Sequence, residues 1–207
     1  LDYLDAKVIL LGHGSIAKIT ITKETTRLQE LRLQCNALIH LPEELPVLAP
    51  NLRILNVANN ELESLPDSLS SMHKLIYLDV SRNKLSSLPA LPQLKKFRAA
   101  ENEICECPQL PDASVIDMSR NCLTRLPKMG KVESLFLADN HLSDLDGLNT
   151  EPLRVLDVRN NMISHVPFCP SAVCMTSGNP ISPKIPKLQE LCKCALIAGY
   201  CNTKLLY

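Results

Sequence analysis

An asparagine with apolar residues at fixed distances on both sides recurs eight times along the chain. Apolar side chains stand five and three residues before seven of the asparagines and two residues after them, as Leu78, Val80 and Leu85 do around Asn83. The last repeat is degenerate, with Cys174 and Thr176 before Asn179. Successive asparagines are 24, 23, 19, 19, 19, 21 and 18 residues apart. Such regular self-similarity predicts a repeat protein. The eight anchors, from which positions are counted below, are Asn36, Asn60, Asn83, Asn102, Asn121, Asn140, Asn161 and Asn179.

The alternation before each anchor predicts one short strand per repeat with a single buried face. Stacked strands of this kind form a parallel sheet, and the apolar residues at plus two and plus five turn inward from the returning arm. We therefore predict an α/β solenoid with a curved parallel sheet on its concave face. The anchor asparagines are expected to be buried at the bends, where their amides bond backbone groups of adjacent repeats and form a structural ladder.

The arm that returns from the sheet is predicted to be mostly extended or tightly turned. A Leu-Pro pair, or a close variant, stands at plus five and plus six of most repeats, and proline removes a backbone donor. Only the longer repeats have room for a helical turn, with candidates beginning at Pro42 and Pro66. The repeats of 19 residues should have almost no helix.

The two ends of the chain depart from the pattern. Residues 1–27 lack an anchor and are predicted to form an irregular N-terminal cap, in which 18–22 alternate as an edge strand would. The Gly12–Ser15 segment is predicted to be an ordinary turn, because no phosphate-binding fingerprint surrounds it. The repeats occupy 28–181. Residues 182–207 are predicted to contain a capping helix with one apolar stripe, followed by a tail.

Composition narrows the classes of partner. The 207 residues include no Trp, three Phe and four Tyr, so the core must be aliphatic. Lys and Arg together number 22, as do Asp and Glu, which removes the electrostatic basis for general nucleic-acid binding. No apolar run is long enough to span a bilayer. The chain opens at Leu1 without a recognisable leader, which is expected of a processed protein or of part of a longer one. We expect it to be a monomer or part of such a longer protein.

Nine cysteines do not indicate a disulfide framework here, since the number is odd and the chain is long. A reducing, cytoplasmic or otherwise intracellular location fits better. Cys105 and Cys107 are separated by one residue, which is shorter than the usual spacing of structural zinc ligands. The five histidines are scattered through turns, away from any partner nucleophile. We therefore predict no catalytic residue, no metal site, no cofactor and no enzymatic activity.

The repeats resemble the intracellular leucine-rich-repeat superfamily, in the Leu-Pro-bearing form of Ras suppressor and Scribble-type scaffolds. The resemblance covers about 28–181 and implies a protein-binding scaffold. The short middle repeats also resemble those of bacterial effectors such as the Yersinia outer protein M and the invasion-plasmid-antigen ligases. The bacterial alternative would require a secretion signal and a ligase domain outside these residues.

A second resemblance concerns the C-terminal helix. Leu188, Cys192 and Leu196 are spaced like the elongin-C-binding box of cullin-2 substrate receptors. The resemblance implies that Leu188 enters a pocket of elongin C and that the solenoid recruits a substrate for ubiquitination. Lys187 departs from the usual box, and no proline-bearing cullin box follows. The other interpretation is that the helix only caps the last repeat.

The predicted binding face consists of side chains that point outward from the strands and the turns after them. Arginine and aromatic residues are favoured anchors in protein interfaces, and a column of small residues at minus two leaves room for a partner. The mixed charge of this face favours a specific protein partner of unknown identity. The candidate binding residues are Arg32, Tyr77, Asp79, Arg82, Lys96, Arg98, Asp117, Arg120, Phe136, Asp157 and Arg159.

Overall fold

The computed structural model describes residues 6–19 and 25–181, which form one continuous parallel sheet of nine strands in chain order. Each strand pairs with the next at the same repeat position, as Leu78 does with Phe97 and Phe97 with Ile116. The predicted solenoid is confirmed. The strands are β1 Val8–Leu10, β2 Glu30–Arg32, β3 Ile54–Asn56, β4 Tyr77–Asp79, β5 Lys96–Arg98, β6 Val115–Asp117, β7 Ser134–Phe136, β8 Val155–Asp157 and β9 Val173–Met175.

Helix occurs in the described residues only on two of the longer repeats. The α1 helix spans Leu45–Leu48, and a 3-10 helix spans Asp67–Ser71. Each buries one leucine, Leu45 or Leu69, against the core. The helical turns follow Pro42 and Pro66, where the sequence pattern has room for them, and no helix occurs in the described residues after Ser71.

The core is a stack of aliphatic side chains from every coil, a coil being one turn of the solenoid. Phe97 is the largest side chain fully buried in it. Two alanines stand near Phe97 at positions where most coils have a larger residue, Ala99 at minus three and Ala113 at minus eight, and both are fully buried. Small core residues of this kind leave volume for a large ring in a close-packed interior.

Each anchor asparagine bonds its own coil and the preceding coil. The Asn121 Nδ2 donates to the carbonyls of Ala99 and Met118 at 2.9 and 3.1 Å, and its Oδ1 accepts from the Ile104 amide at 3.0 Å. The same bonds recur from Asn36 through Asn179. An amide side chain supplies both a donor and an acceptor, which explains why asparagine recurs at this bend.

The segment predicted as an irregular cap contains a ninth coil. Strand β1 pairs in parallel with β2, and Ile16 donates its amide to the Asn36 Oδ1 at 3.1 Å, as the plus-two residues of other coils do. Gly14 takes the anchor position, where a Cβ would lie 2.8 Å from that same oxygen. The asparagine signature is therefore absent although the apolar spacing remains. Lys18 and Ile19 of the predicted edge strand are not in a strand, and 20–22 lie outside the described residues.

The residue before each anchor has left-handed backbone geometry in all nine coils, a regularity that the sequence did not reveal. Only four of the nine are Asn, Asp or Gly, the residue types that adopt it readily. The others carry side chains that the conformation disfavours. The nine residues, with φ between 53° and 76°, are His13, Cys35, Asn59, Arg82, Glu101, Arg120, Asp139, Asn160 and Gly178.

We expect Arg82→Gly to change the free energy of unfolding by less than about 0.5 kcal/mol, because glycine adopts left-handed geometry without strain. Arg82→Val should lower it by about 1–2 kcal/mol, because a β-branched residue is strained at φ 57°. Lys84 provides the matched control, since it is also exposed and ion-paired but does not have positive φ. There valine should be tolerated at least as well as glycine. Urea unfolding of the glycine and valine variants at both positions measures their stabilities. If valine were less stable than glycine by the same amount at 82 and 84, the left-handed geometry of Arg82 would be contradicted.

Candidate protein-binding face

The eleven candidate binding residues all lie on the side of the sheet that faces away from the core, or at the turns that border it. We call this surface the sheet face. Strand residues at minus six and minus four lie on this side of the sheet, while those at minus five are buried in β2 to β8. Three-residue strands in register bring equivalent side chains of adjacent coils side by side.

Two of the candidate residues are buried in the sheet and already bonded. Asp79 and Asp157 are only 7% and 4% exposed. One Asp79 oxygen accepts from the Ser81 amide at 3.1 Å and the other from the Tyr77 hydroxyl at 3.2 Å. The Asp157 oxygens accept from the guanidinium of Arg159 at 2.9 and 2.7 Å. These carboxylates hold the bend after the strand, so they offer little to a partner.

A chain of alternating charges runs along the residues that precede the anchors. Arg82 and Arg120 both contact Glu101, at 3.2 and 3.6 Å, and Arg120 also contacts Asp139 at 3.6 Å. Exposed ion pairs of this kind contribute little to stability. They do neutralise the two arginines that the sequence predicted as binding residues, and they link four coils along one border of the sheet face.

The middle of the sheet face combines aromatic and cationic side chains. Tyr77 and Phe136 are half-buried, and Lys96 and Arg98 are exposed. Burial, with Asp79 nearby, raises the pKa of the Tyr77 hydroxyl, while the charges of Arg98 and Arg32 act in the opposite direction. Tyr77 therefore stays a neutral hydroxyl with arginines close to it.

Small side chains stand beside this middle region at minus two. Small side chains at this position leave room for a polypeptide to approach the backbone of the solenoid. The column consists of Ala58, Ser81, Ala100, Ser119 and Ala138.

Cysteines are the main reactive side chains of the described residues, and six of them are free thiols. Cys105 is exposed, whereas burial raises the pKa of Cys107 to about 12. The thiols of Cys169 and Cys174 share a hydrogen bond, which raises the pKa of the Cys169 thiol and lowers that of Cys174. Among the described residues, no three His, Cys, Asp or Glu side chains come together as possible ligands of a metal ion.

At pH 8 we expect alkylation of Cys107 to be much slower than that of exposed Cys105, because burial raises the pKa of Cys107 to about 12 and leaves little thiolate. Its rate should rise about tenfold per pH unit up to about pH 12. Iodoacetamide labelling followed by cleavage after Glu106 separates Cys105 from Cys107 for mass spectrometry. Equal labelling of the two in the folded protein would contradict the burial of Cys107.

The residues with the elongin-box spacing, Leu188, Cys192 and Leu196, lie outside the described residues. The predicted C-terminal helix lies outside them too. Within the described part, no helix has the length and apolar character needed to cross a membrane.

Comparison with known proteins identifies the architecture. A family profile described as "Leucine rich repeat" matches residues 26–99, within the stretch where strands and anchor asparagines recur in register. The chain belongs to the leucine-rich-repeat superfamily. A leucine-rich-repeat protein of Leptospira interrogans has a similar structure, with a TM-score of 0.64 and 26% identity over 82% of this chain and 53% of that one. YopM from Yersinia enterocolitica gives a TM-score of 0.61 and 27% identity over 84% of this chain and 45% of its own.

The curated relatives are much longer than this leucine-rich-repeat chain. The mouse leucine-rich repeat serine/threonine-protein kinase 1 is 30% identical over 169 residues, which are 75% of this chain and 8% of the kinase. A probable serine/threonine-protein kinase, pats1, of Dictyostelium discoideum is 41% identical over 69 residues, or 2% of its length. The similarity therefore concerns repeats within large proteins.

Proposed function

We propose that this solenoid is a non-catalytic recognition module that holds a protein partner on its sheet face. The observation that supports the proposal is the middle of that face, where exposed Lys96 and Arg98 on β5 lie between half-buried Tyr77 on β4 and half-buried Phe136 on β7. Aromatic and arginine side chains are the usual anchors of protein interfaces. The small side chains at minus two leave room for a partner.

The rigidity of the sheet supports the same proposal. Side chains on strands are held by backbone ladders on both sides, and the anchor asparagines fix each bend. A partner that binds such a preformed surface loses less conformational entropy on association than one that must order loops. We also propose a reducing location, because the six described cysteines are free thiols. Alkylation of the protein before cell lysis, followed by mass measurement, tests that location, and oxidised cysteines would contradict it.

Photo-crosslinking from two positions tests the use of the sheet face. Benzoylphenylalanine at position 136 is expected to capture a protein in cells, and the same group at position 162 is not, because Met162 is exposed on the returning arm. The product from position 136 should disappear when Lys96→Gln and Arg98→Gln are combined with it. Crosslinks from position 162 alone, or crosslinks that survive the double substitution, would contradict the proposal.

A further inference from the structure

The cations of the sheet face fall into two groups, paired and unpaired. Arg32, Arg82, Arg120 and Arg159 each contact a carboxylate of this chain, on Glu30, Glu101, Asp139 or Asp157. Lys96 and Arg98, both on β5, form no ion pair or side-chain hydrogen bond with any other described residue. The positive charge that remains for a partner is therefore concentrated on one strand at the middle of the face.

The neighbouring aspartates do not satisfy Arg98. In the sheet it stands in register between Asp79 and Asp117. The Asp79 oxygens are bonded to Tyr77 and Ser81, and one Asp117 oxygen accepts from the Ser119 amide at 3.2 Å. These carboxylates are turned toward the bends of their own coils, so the guanidinium of Arg98 keeps its donors free.

Apolar side chains border the two free cations. Lys96 stands in register between Tyr77 and Val115, both half-buried, and Phe136 lies two strands from Arg98 in the same column. Side chains two residues apart on a strand lie about 7 Å apart on one face. A segment crossing β4 to β7 therefore meets two cations and three apolar side chains within one short patch.

We infer that the partner presents an acidic segment whose carboxylates alternate with apolar side chains, and that this segment lies across β4 to β7. The inference rests on the proposed function and adds the chemistry of the partner. Carboxylates would bond Lys96 and Arg98, the latter in the bidentate geometry that guanidinium groups favour. Nucleic acid is disfavoured, because the other arginines of the described sheet face are ion-paired and two unpaired cations are too few for a continuous polyanion.

Selection of random 16-residue peptides displayed on phage against the whole chain tests this inference. We expect the recovered peptides to be rich in Asp or Glu next to apolar residues. By fluorescence anisotropy, synthetic copies should bind at least about tenfold more weakly to the Lys96→Gln, Arg98→Gln variant, and more weakly in high salt. The matched control is Lys128→Gln, Lys131→Gln, which removes the same charge from exposed positions outside the sheet face and should leave binding unchanged.

The possible failures are distinguishable. Peptides without acidic residues that lose affinity on Phe136→Ala would overturn the acidic partner while leaving the sheet face as the binding surface. If no recovered peptide responds to any sheet-face substitution, both the inference and the proposed function are overturned. Basic peptides, or nucleic acid bound with the same dependence on Lys96 and Arg98, would overturn the inference alone.

Discussion

Replacing Asn121 by alanine is expected to lower the free energy of unfolding by about 3–5 kcal/mol. The substitution removes two bonds donated to the Ala99 and Met118 carbonyls and one accepted from the Ile104 amide, in a side chain that is 6% exposed. Each buried backbone group left without a partner costs about 1–3 kcal/mol. The loss removes bonds within one coil and between it and the preceding coil, and urea unfolding followed by far-ultraviolet circular dichroism measures it.

Asn149 is the control for this prediction. It also forms side-chain bonds, with Gly130 at 3.4 Å and Glu151 at 3.2 Å, but it is exposed, so water replaces them when it becomes alanine. We expect Asn149→Ala to cost less than about 1 kcal/mol. Equal effects at positions 121 and 149 would show that the ladder does not stabilise the solenoid.

The second large effect is expected at Phe97, where alanine should cost about 3–5 kcal/mol. The ring is fully buried in the core, which also contains the small residues Ala99 and Ala113, so its removal leaves a cavity. Because each coil contacts mainly its neighbours, a cavity at the middle weakens the coupling between the two halves. We therefore also expect the unfolding transition to broaden or to split into two steps.

Phe136→Ala provides the same chemical change on the sheet face. Its ring is half-buried on the surface and leaves no closed cavity, so the expected cost is about 1 kcal/mol with a single sharp transition. The two substitutions thus distinguish a phenylalanine in the core from one on the sheet face. Comparable losses of stability at both positions would contradict the assignment of Phe97 to the core and Phe136 to the surface.

The architecture could be predicted from the sequence because its determinants are local. The apolar residues at minus five and minus three decide which face of each strand is buried, and one asparagine decides where the chain bends. The N-terminal coil was missed for the same reason: Gly14 replaces the asparagine, and only Ile9, Leu11, Ile16 and Ile19 keep the spacing. A search on apolar spacing alone would have found it.

The binding face was only partly predictable, since the state of each charged residue depends on its neighbours in other coils. Arg82 and Arg98 are both arginines at outward positions of adjacent coils. Arg82 is paired with Glu101, 19 residues later, whereas Arg98 has no ion-pair partner among the described residues. Asp79 has an outward position but is buried, because its carboxylate bonds to the following turn. Such differences follow from register and side-chain rotamers, which the repeat pattern does not encode.

The measurement that tests the central claim most directly is calorimetric titration of the partner captured from position 136. It should be made with the unmodified chain, with the Lys96→Gln, Arg98→Gln variant and with the Lys128→Gln, Lys131→Gln control. A sheet face that binds the partner predicts at least about tenfold weaker binding for the first variant and unchanged binding for the control. Equal affinity for all three proteins, or a loss confined to the control, would contradict it.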